Sequence, residues 1–223
     1  MSSLGAIAIV LALSLSGLAQ TPGGKPATTS AASIFGRNLL KNPNIEAPIK
    51  DPNKVPGWTD ASGLQQAVYG SVSGEWDWGL TGCAGCGKQY LRLDYEGTVH
   101  ELLTSQTVDV NPAADQIDKG KIRAAASGWL GGFHGADTTS VVELTFQDAS
   151  GKPLGTLATS PVNMNGLPKA QSGDTGLLLC KTDGVVPAGT RKIVFTWHAK
   201  STGESGQYLA LGDNFSLTLT SAQ

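Results

Sequence analysis

The chain has 223 residues, 40% of them apolar and only 15% charged, with a formal net charge of −2. That balance gives no electrostatic reason to expect nucleic acid or an anionic membrane as partner. Its 29 glycines, with much Thr and Val and little Lys and Glu, favour turns and strands over helices.

Residues 4–19 (LGAIAIVLALSLSGLA) form one apolar stretch, short and small-residued for a transmembrane helix. No Lys or Arg precedes it. It ends in Gly17-Leu18-Ala19, the small-x-small pattern of a signal-peptidase site, so residues 1–19 are expected to be a signal peptide cut before Gln20. The alternative is an uncleaved anchor that holds the protein at the membrane; no second run of spanning length follows. Residues 20–37 are rich in Pro, Thr, Ser and Ala with no periodic apolar face, and are expected to be a disordered linker. Residues 38–223 are left as a single domain, large enough for one full core.

Within that domain the pattern is strand, turn, strand. Alternation predicts strands at 89–94, 102–110, 122–130, 141–146, 191–198 and 215–219. Val142, Leu144 and Phe146 share one face, as do Ile193, Phe195 and Trp197, and Phe215, Leu217 and Leu219. Turn chemistry separates them: Asp148–Lys152, Asp183-Gly184, Pro187-Ala188-Gly189 and the Ser/Gly run at 201–206. The expected fold is all-β, an antiparallel β-sandwich. Two long loops, 70–88 and 160–175, are the expected seats of function.

No catalytic motif is present. The three histidines, His100, His134 and His198, sit beside no nucleophile elbow and form no metal-binding pair. Acidic residues of the 70–101 region, among them Glu75 and Glu101, are the only candidates for a hydrolase acid and base. Cys83 and Cys86 form a CAGC pair and Cys180 stands alone. In an exported chain these read as a loop staple, either Cys83–Cys86 or one of them with Cys180. Trp129 and Trp197 fall in strand patterns and are expected in the core. Trp76 and Trp78 lie in the long loop beside Glu75 and Asp77. Aromatic faces next to carboxylates hold sugars by stacking and hydroxyl hydrogen bonds, so these four are the candidate ligand-binding residues. Asn214-Phe215-Ser216 fits a glycosylation sequon but lies in a predicted strand and is read as chance.

The opening Asn38-Leu39-Leu40-Lys41-Asn42-Pro43-Asn44-Ile45-Glu46, followed by Pro56-Gly57-Trp58, resembles the opening of galactose-binding-like jelly rolls, which include many carbohydrate-binding modules. The stretches 127–133, 141–148 and 186–191, and the closing Asp213-Asn214-Phe215-Ser216-Leu217, resemble a bacterial secreted branch of that superfamily. The resemblance implies a jelly roll and a secreted, non-catalytic module that binds carbohydrate or a cell-surface polymer. It also implies a structural Ca²⁺ held by Glu46 and Asp213, in keeping with the preference of a hard cation for oxygen ligands. An adhesive protein-binding domain and a glycoside-acting hydrolase are the alternatives.

Overall fold

The computed structural model describes residues 33–50, 54–59, 64–70, 80, 82–96, 101–132, 138–163, 176–201 and 207–222. Its strands are β1 (Leu64–Val68), β2 (Gln89–Glu96), β3 (Glu101–Asp109), β4 (Ile122–Gly132), β5 (Thr138–Gln147), β6 (Pro153–Ala158), β7 (Gly176–Val185), β8 (Lys192–Ser201) and β9 (Gln207–Ser221). A 3-10 turn at Asn111–Ala113 leads into the short helix α1 (Ala114–Asp118) between β3 and β4. One sheet has five strands in the order β1-β2-β9-β4-β7, the other four in the order β3-β8-β5-β6. Every pairing is antiparallel. The sandwich read from alternation is therefore the one observed.

Alternation also decides the core. Ile122, Ala124, Ala126 and Leu130 of β4 are buried, as are Val142, Leu144 and Phe146 of β5 and Ile193, Phe195 and Trp197 of β8. Burying each large side chain contributes roughly 1.5–3 kcal/mol. Phe215 of β9 sits among aromatic rings, with centroids 4.9 Å from Trp58, 5.6 Å from Trp197 and 5.9 Å from Phe195. The indole N–H of Trp197 donates to Ser140 Oγ at 2.7 Å, so the buried polar edge is satisfied.

The opening segment runs along the last strand. Leu39 N–H donates to the Leu217 carbonyl at 2.9 Å and Phe215 N–H to the Pro43 carbonyl at 2.9 Å. The Asn38 amide bridges the two, donating to Phe215 O at 2.8 Å and accepting from Leu40 and Leu217 N–H. Asn42 does the same for the next turn, donating to Pro56 O and accepting from Ala47 N–H. The Trp58 indole then donates to Asn42 O at 3.2 Å. Asn38, together with Gln106 of β3 bonded to both backbone groups of Lys41, thus ties this segment to the sandwich, while Asn42 and the Trp58 indole hold residues 42–58 to one another. Ser33–Arg37, placed in the linker from composition, are already part of the described fold: Ile34 is buried and Gly36 N–H donates to Leu219 O at 3.1 Å. Two apolar residues, Ile34 and Phe35, and one backbone bond to β9 carry that packing, too little to show as periodicity.

Three further differences from the sequence reading stand out. β1, β6 and β7 have weak alternation and were not foreseen. Asp183-Gly184, read as a turn, pairs inside β7 with Ala125 and Ala124. Asp183 faces outward and forms an ion pair with Arg123, while a Cβ on Gly184 would press on the Leu157 side chain at 3.3 Å. Trp129, expected in the core, faces the outside of the five-stranded sheet, because its β4 neighbours Gly128 and Leu130 take the inward positions.

Gly212 shows how tightly the layers meet: a Cβ there would lie 2.7 Å from the Phe215 ring and 3.0 Å from the Trp197 ring. Gly212→Ala is expected to cost about 1–3 kcal/mol by overpacking, read as a lowered urea midpoint with unchanged slope.

Candidate functional site

Antiparallel register sets two rows of side chains across the outer face of the five-stranded sheet. One row is Gln65, Arg92, Leu211, Gly131 and Leu177, taken from β1, β2, β9, β4 and β7 in turn. The next row has Ala67 beside Tyr90, and Asp213 beside Trp129 beside Leu179. Because side chains alternate along a strand, these point away from the main core. They nevertheless form a second, smaller apolar cluster: Leu80, Tyr90, Leu177 and Leu211 are buried, with Ala67, Tyr69, Cys83 and Trp129 packed against them. Tyr69, just past β1, and Leu80 and Cys83, ahead of β2, close over this part of the sheet face. Tyr69 N–H donates to Lys88 O at 3.0 Å and Gly70 N–H to Leu80 O at 3.2 Å, so the chain leaves and returns beside the cluster.

Asp213 lies under that cover and is fully buried. The Tyr69 hydroxyl donates to its Oδ2 at 2.7 Å and Asn214 N–H to its Oδ1 at 2.5 Å. Burial pushes the Asp213 carboxyl up to about 7; the two hydrogen bonds oppose the rise and the charge of Glu46 adds to it. Burial, then the neighbouring Asp213 charge, holds the Tyr69 phenol well above its ordinary value. Tyr69 also packs on Tyr90, ring centroids 4.8 Å apart. Asn214 takes a left-handed backbone (φ 46°) at the irregularity where β9 slips against β4, and its amide donates to the Ala84 carbonyl at 3.3 Å. Ala84 belongs to the Cys83–Cys86 turn, closed by Cys86 N–H donating to Cys83 O at 3.1 Å.

Of the pairings left open by the sequence, Cys83–Cys86 is the one formed, with Cα atoms 5.0 Å apart. Both sulfurs and an Asp213 carboxylate oxygen lie within 4.8 Å of one another. Cys180 stands apart, buried in β7, where burial raises its thiol pKa.

Glu46 reaches the same end of the sheet. Its Oε1 accepts from Lys88 N–H at 2.6 Å and Gln89 N–H at 2.8 Å, and Gly87 leaves the room it occupies. The Gln66 side-chain amide donates to the Ile45 carbonyl and to Gln89 Oε1, and lies 3.4 Å from the Ala47 carbonyl. Ile45 adopts a left-handed φ of 58°, which turns successive carbonyls toward this point. The Glu46 carboxylate, the Ile45 and Ala47 carbonyls and Gln89 Oε1 are oxygen ligands of the kind a hard cation such as Ca²⁺ takes, and each accepts here from an N–H of Gln66, Lys88 or Gln89. Glu46 and Asp213, the two residues implied as calcium ligands, interact electrostatically, although the hydrogen bonds of Asp213 face the Tyr69 side.

Glu75, Trp76, Asp77 and Trp78 lie outside the described residues, as do His100 and His134. His198 Nε2 lies against Glu101 Oε1 on the other sheet. That sheet does not bring either residue to the Asp213 face. Trp129, Tyr69 and Tyr90 were missed as site residues. The signal for Trp129 was parity: Gly128 and Leu130 both suit the inner face of β4, which leaves Trp129 outside.

No family model matches the chain, and no curated protein is detectably similar to it in sequence. Solved structures do share its fold. A cyclase from Fischerella sp. TAU, bound to an indole compound, is 15% identical with a TM-score of 0.56, over 83% of this chain and 98% of that one. The enzymatically active domain of bacteriophage CBA120 tailspike protein 4 is 14% identical with a TM-score of 0.50, over 82% of this chain. This chain spans only 21% of that tailspike chain. A xylan-binding domain from Paenibacillus barcinonensis is 18% identical with a TM-score of 0.45, over 86% of this chain and all of that one. Other β-sandwich carbohydrate-binding modules are also among the similar structures. The likeness to the cyclase and the tailspike domain shows the β-sandwich fold alone, and a fold of this kind does not fix a function.

Proposed function

We propose that the chain is an exported, non-catalytic module that binds carbohydrate and is stabilised by calcium. The observation that carries this reading is Trp129, a half-buried indole on the outer sheet face, packed against the Tyr90–Leu177–Leu211 cluster. The neighbouring row supplies Arg92, whose guanidinium donates to Gln65 Oε1 at 2.8 Å and is held in place by it. A sugar ring needs an apolar platform for its axial hydrogens and fixed polar groups for its hydroxyls. Gly70 and Leu80, joined by a backbone hydrogen bond, lie beside this face; in this reading Trp76 and Trp78, with Glu75 and Asp77, which fall between them in the sequence, also serve the sugar.

Trp129→Ala is expected to lower glycan affinity about tenfold or more by removing the stacking surface. Replacing Trp76 and Trp78 together should do the same. Titration calorimetry against the bound glycan reads both; unchanged affinity in all the variants would remove sugar from this face.

Calcium is supported by the oxygen donors around Glu46, with Asp213 as the second carboxylate. When bound, the ion supplies a fixed positive charge between chain segments that are far apart in sequence. Glu46→Gln is expected to abolish the rise in melting temperature that calcium gives the wild type, since an ion that binds only the folded state stabilises it by mass action.

One observation favours a second reading, an enzyme. A buried carboxyl that titrates near 7 is suited to proton transfer at neutral pH. Turnover of a glycan or a small cyclic compound, lost in Asp213→Asn, would decide for it.

A further inference from the structure

We infer that reduction of Cys83–Cys86 converts this corner of the molecule into a binding site for a thiophilic divalent cation, with the two thiolates and the Asp213 carboxylate as ligands and Zn²⁺ as the type ion. The three ligand atoms are already gathered within 4.8 Å. A tetrahedral zinc site with Zn–S of about 2.3 Å and Zn–O of about 2.0–2.2 Å needs ligand separations of roughly 3.3–3.8 Å, which opening the disulfide supplies by side-chain rotation. The spacing is right as well: two cysteines flanking a two-residue turn chelate one ion in zinc knuckles. The turn is held in place independently of the disulfide, by Cys86 N–H on Cys83 O and by the Asn214 amide on Ala84 O.

The third ligand is fixed by the main fold. Asp213 is buried in β9, and its two oxygens are oriented by Tyr69 and Asn214. Each oxygen keeps a second lone pair for a metal. Both cysteines are partly exposed, so an ion can enter, and the fourth tetrahedral position is left to water. A dithiol reductant gives two electrons and two protons to the disulfide and is itself oxidised to a disulfide. The cation then displaces the two thiol protons, which pass to solvent. The chemistry differs from that of the Glu46 corner, where the candidate ligands are a carboxylate and carbonyl oxygens and no sulfur. Asp213 is the only residue shared with the calcium reading, so the redox state selects which kind of cation this end of the sheet prefers.

The test uses the full chain, reduced with a dithiol, freed of reductant without oxygen and titrated with Co²⁺ as the spectroscopic probe. The reduced chain should bind Co²⁺ with thiolate charge-transfer and tetrahedral d–d bands, and the oxidised chain should show neither band. Asp213→Asn should weaken binding at least tenfold while keeping the thiolate bands, and Glu46→Gln, which removes only a neighbouring charge, should weaken it far less. Zn²⁺ should raise the melting temperature of the reduced chain alone. Absence of the charge-transfer bands in reduced, folded protein would overturn the proposal, as would affinity indifferent to Asp213→Asn. A reduced chain that loses its β-sheet dichroism and is not refolded by Zn²⁺ would overturn it too. Failure of the calcium reading shows separately, as a melting temperature of the oxidised chain that calcium does not move.

Discussion

In EDTA, the protein is expected to lose stability as the pH rises from about 4 to about 7, and Asp213→Asn is expected to remove that loss. The carboxyl of Asp213 has an ordinary value of 3.8 and is pushed up to about 7 in the fold, chiefly by burial. Between those values the folded chain keeps a proton that the unfolded chain has released, so folding is favoured at the lower pH. The contribution is fully present below about pH 4 and is lost as the pH passes 7. A shift of that size corresponds to about 4 kcal/mol as an order of magnitude. Exposed carboxylates act in the opposite sense. Asp118, hydrogen-bonded by Arg191 and Gly189, and Asp148, hydrogen-bonded by Ser150 and Lys152, sit below their ordinary values and favour the fold as the pH rises through the acid range. Comparing the wild type with Asp213→Asn subtracts their effect. Urea unfolding at half-unit steps from pH 4 to 8 reads the difference. Added calcium should flatten the wild-type slope, because a cation replaces the proton. Parallel curves for wild type and variant would contradict the assignment of the shift.

Phe215→Ala is expected to destabilise the domain by about 3–5 kcal/mol, near the limit of what one substitution does. Three aromatic rings surround the side chain, and none of its surface is exposed. The cost depends on whether neighbours can collapse into the space. Here two of the walls are glycines: a Cβ on Gly128 would lie 2.8 Å from the Phe215 ring, and one on Gly212 2.7 Å from it. A glycine wall has no side chain to move inward, so most of the cavity persists. Chemical denaturation should show a lower midpoint with similar slope, and a loss under about 1 kcal/mol would mean that the layers close up instead.

The strands with the strictest alternation, β4, β5, β8 and β9, were legible because each buries one face of large apolar side chains. β7 was not. Its run Leu177-Leu178-Leu179 has no period, and its Asp183-Gly184 carries turn chemistry that the Arg123 pairing and the Leu157 packing override. β1 and β6 are short and lie at sheet edges, where little burial shapes the pattern. The opening motif was recognisable: its Asn38 pins the first segment to β9, and its Asn42 fixes the turn that follows. The candidate site divides in the same way. Glu46, Asp213 and the cysteine pair carry chemistry that sequence can flag. The outward parity of Trp129 and the tyrosine cover over Asp213 arise from register between strands distant in sequence. No local pattern encodes such a register.

The central claim, carbohydrate binding on the outer face of the five-stranded sheet, is tested most directly by screening the full chain against immobilised glycans, in calcium and again in EDTA. The account predicts a glycan signal that weakens in EDTA and is lost in Trp129→Ala. A folded chain that binds no glycan in either condition would contradict it.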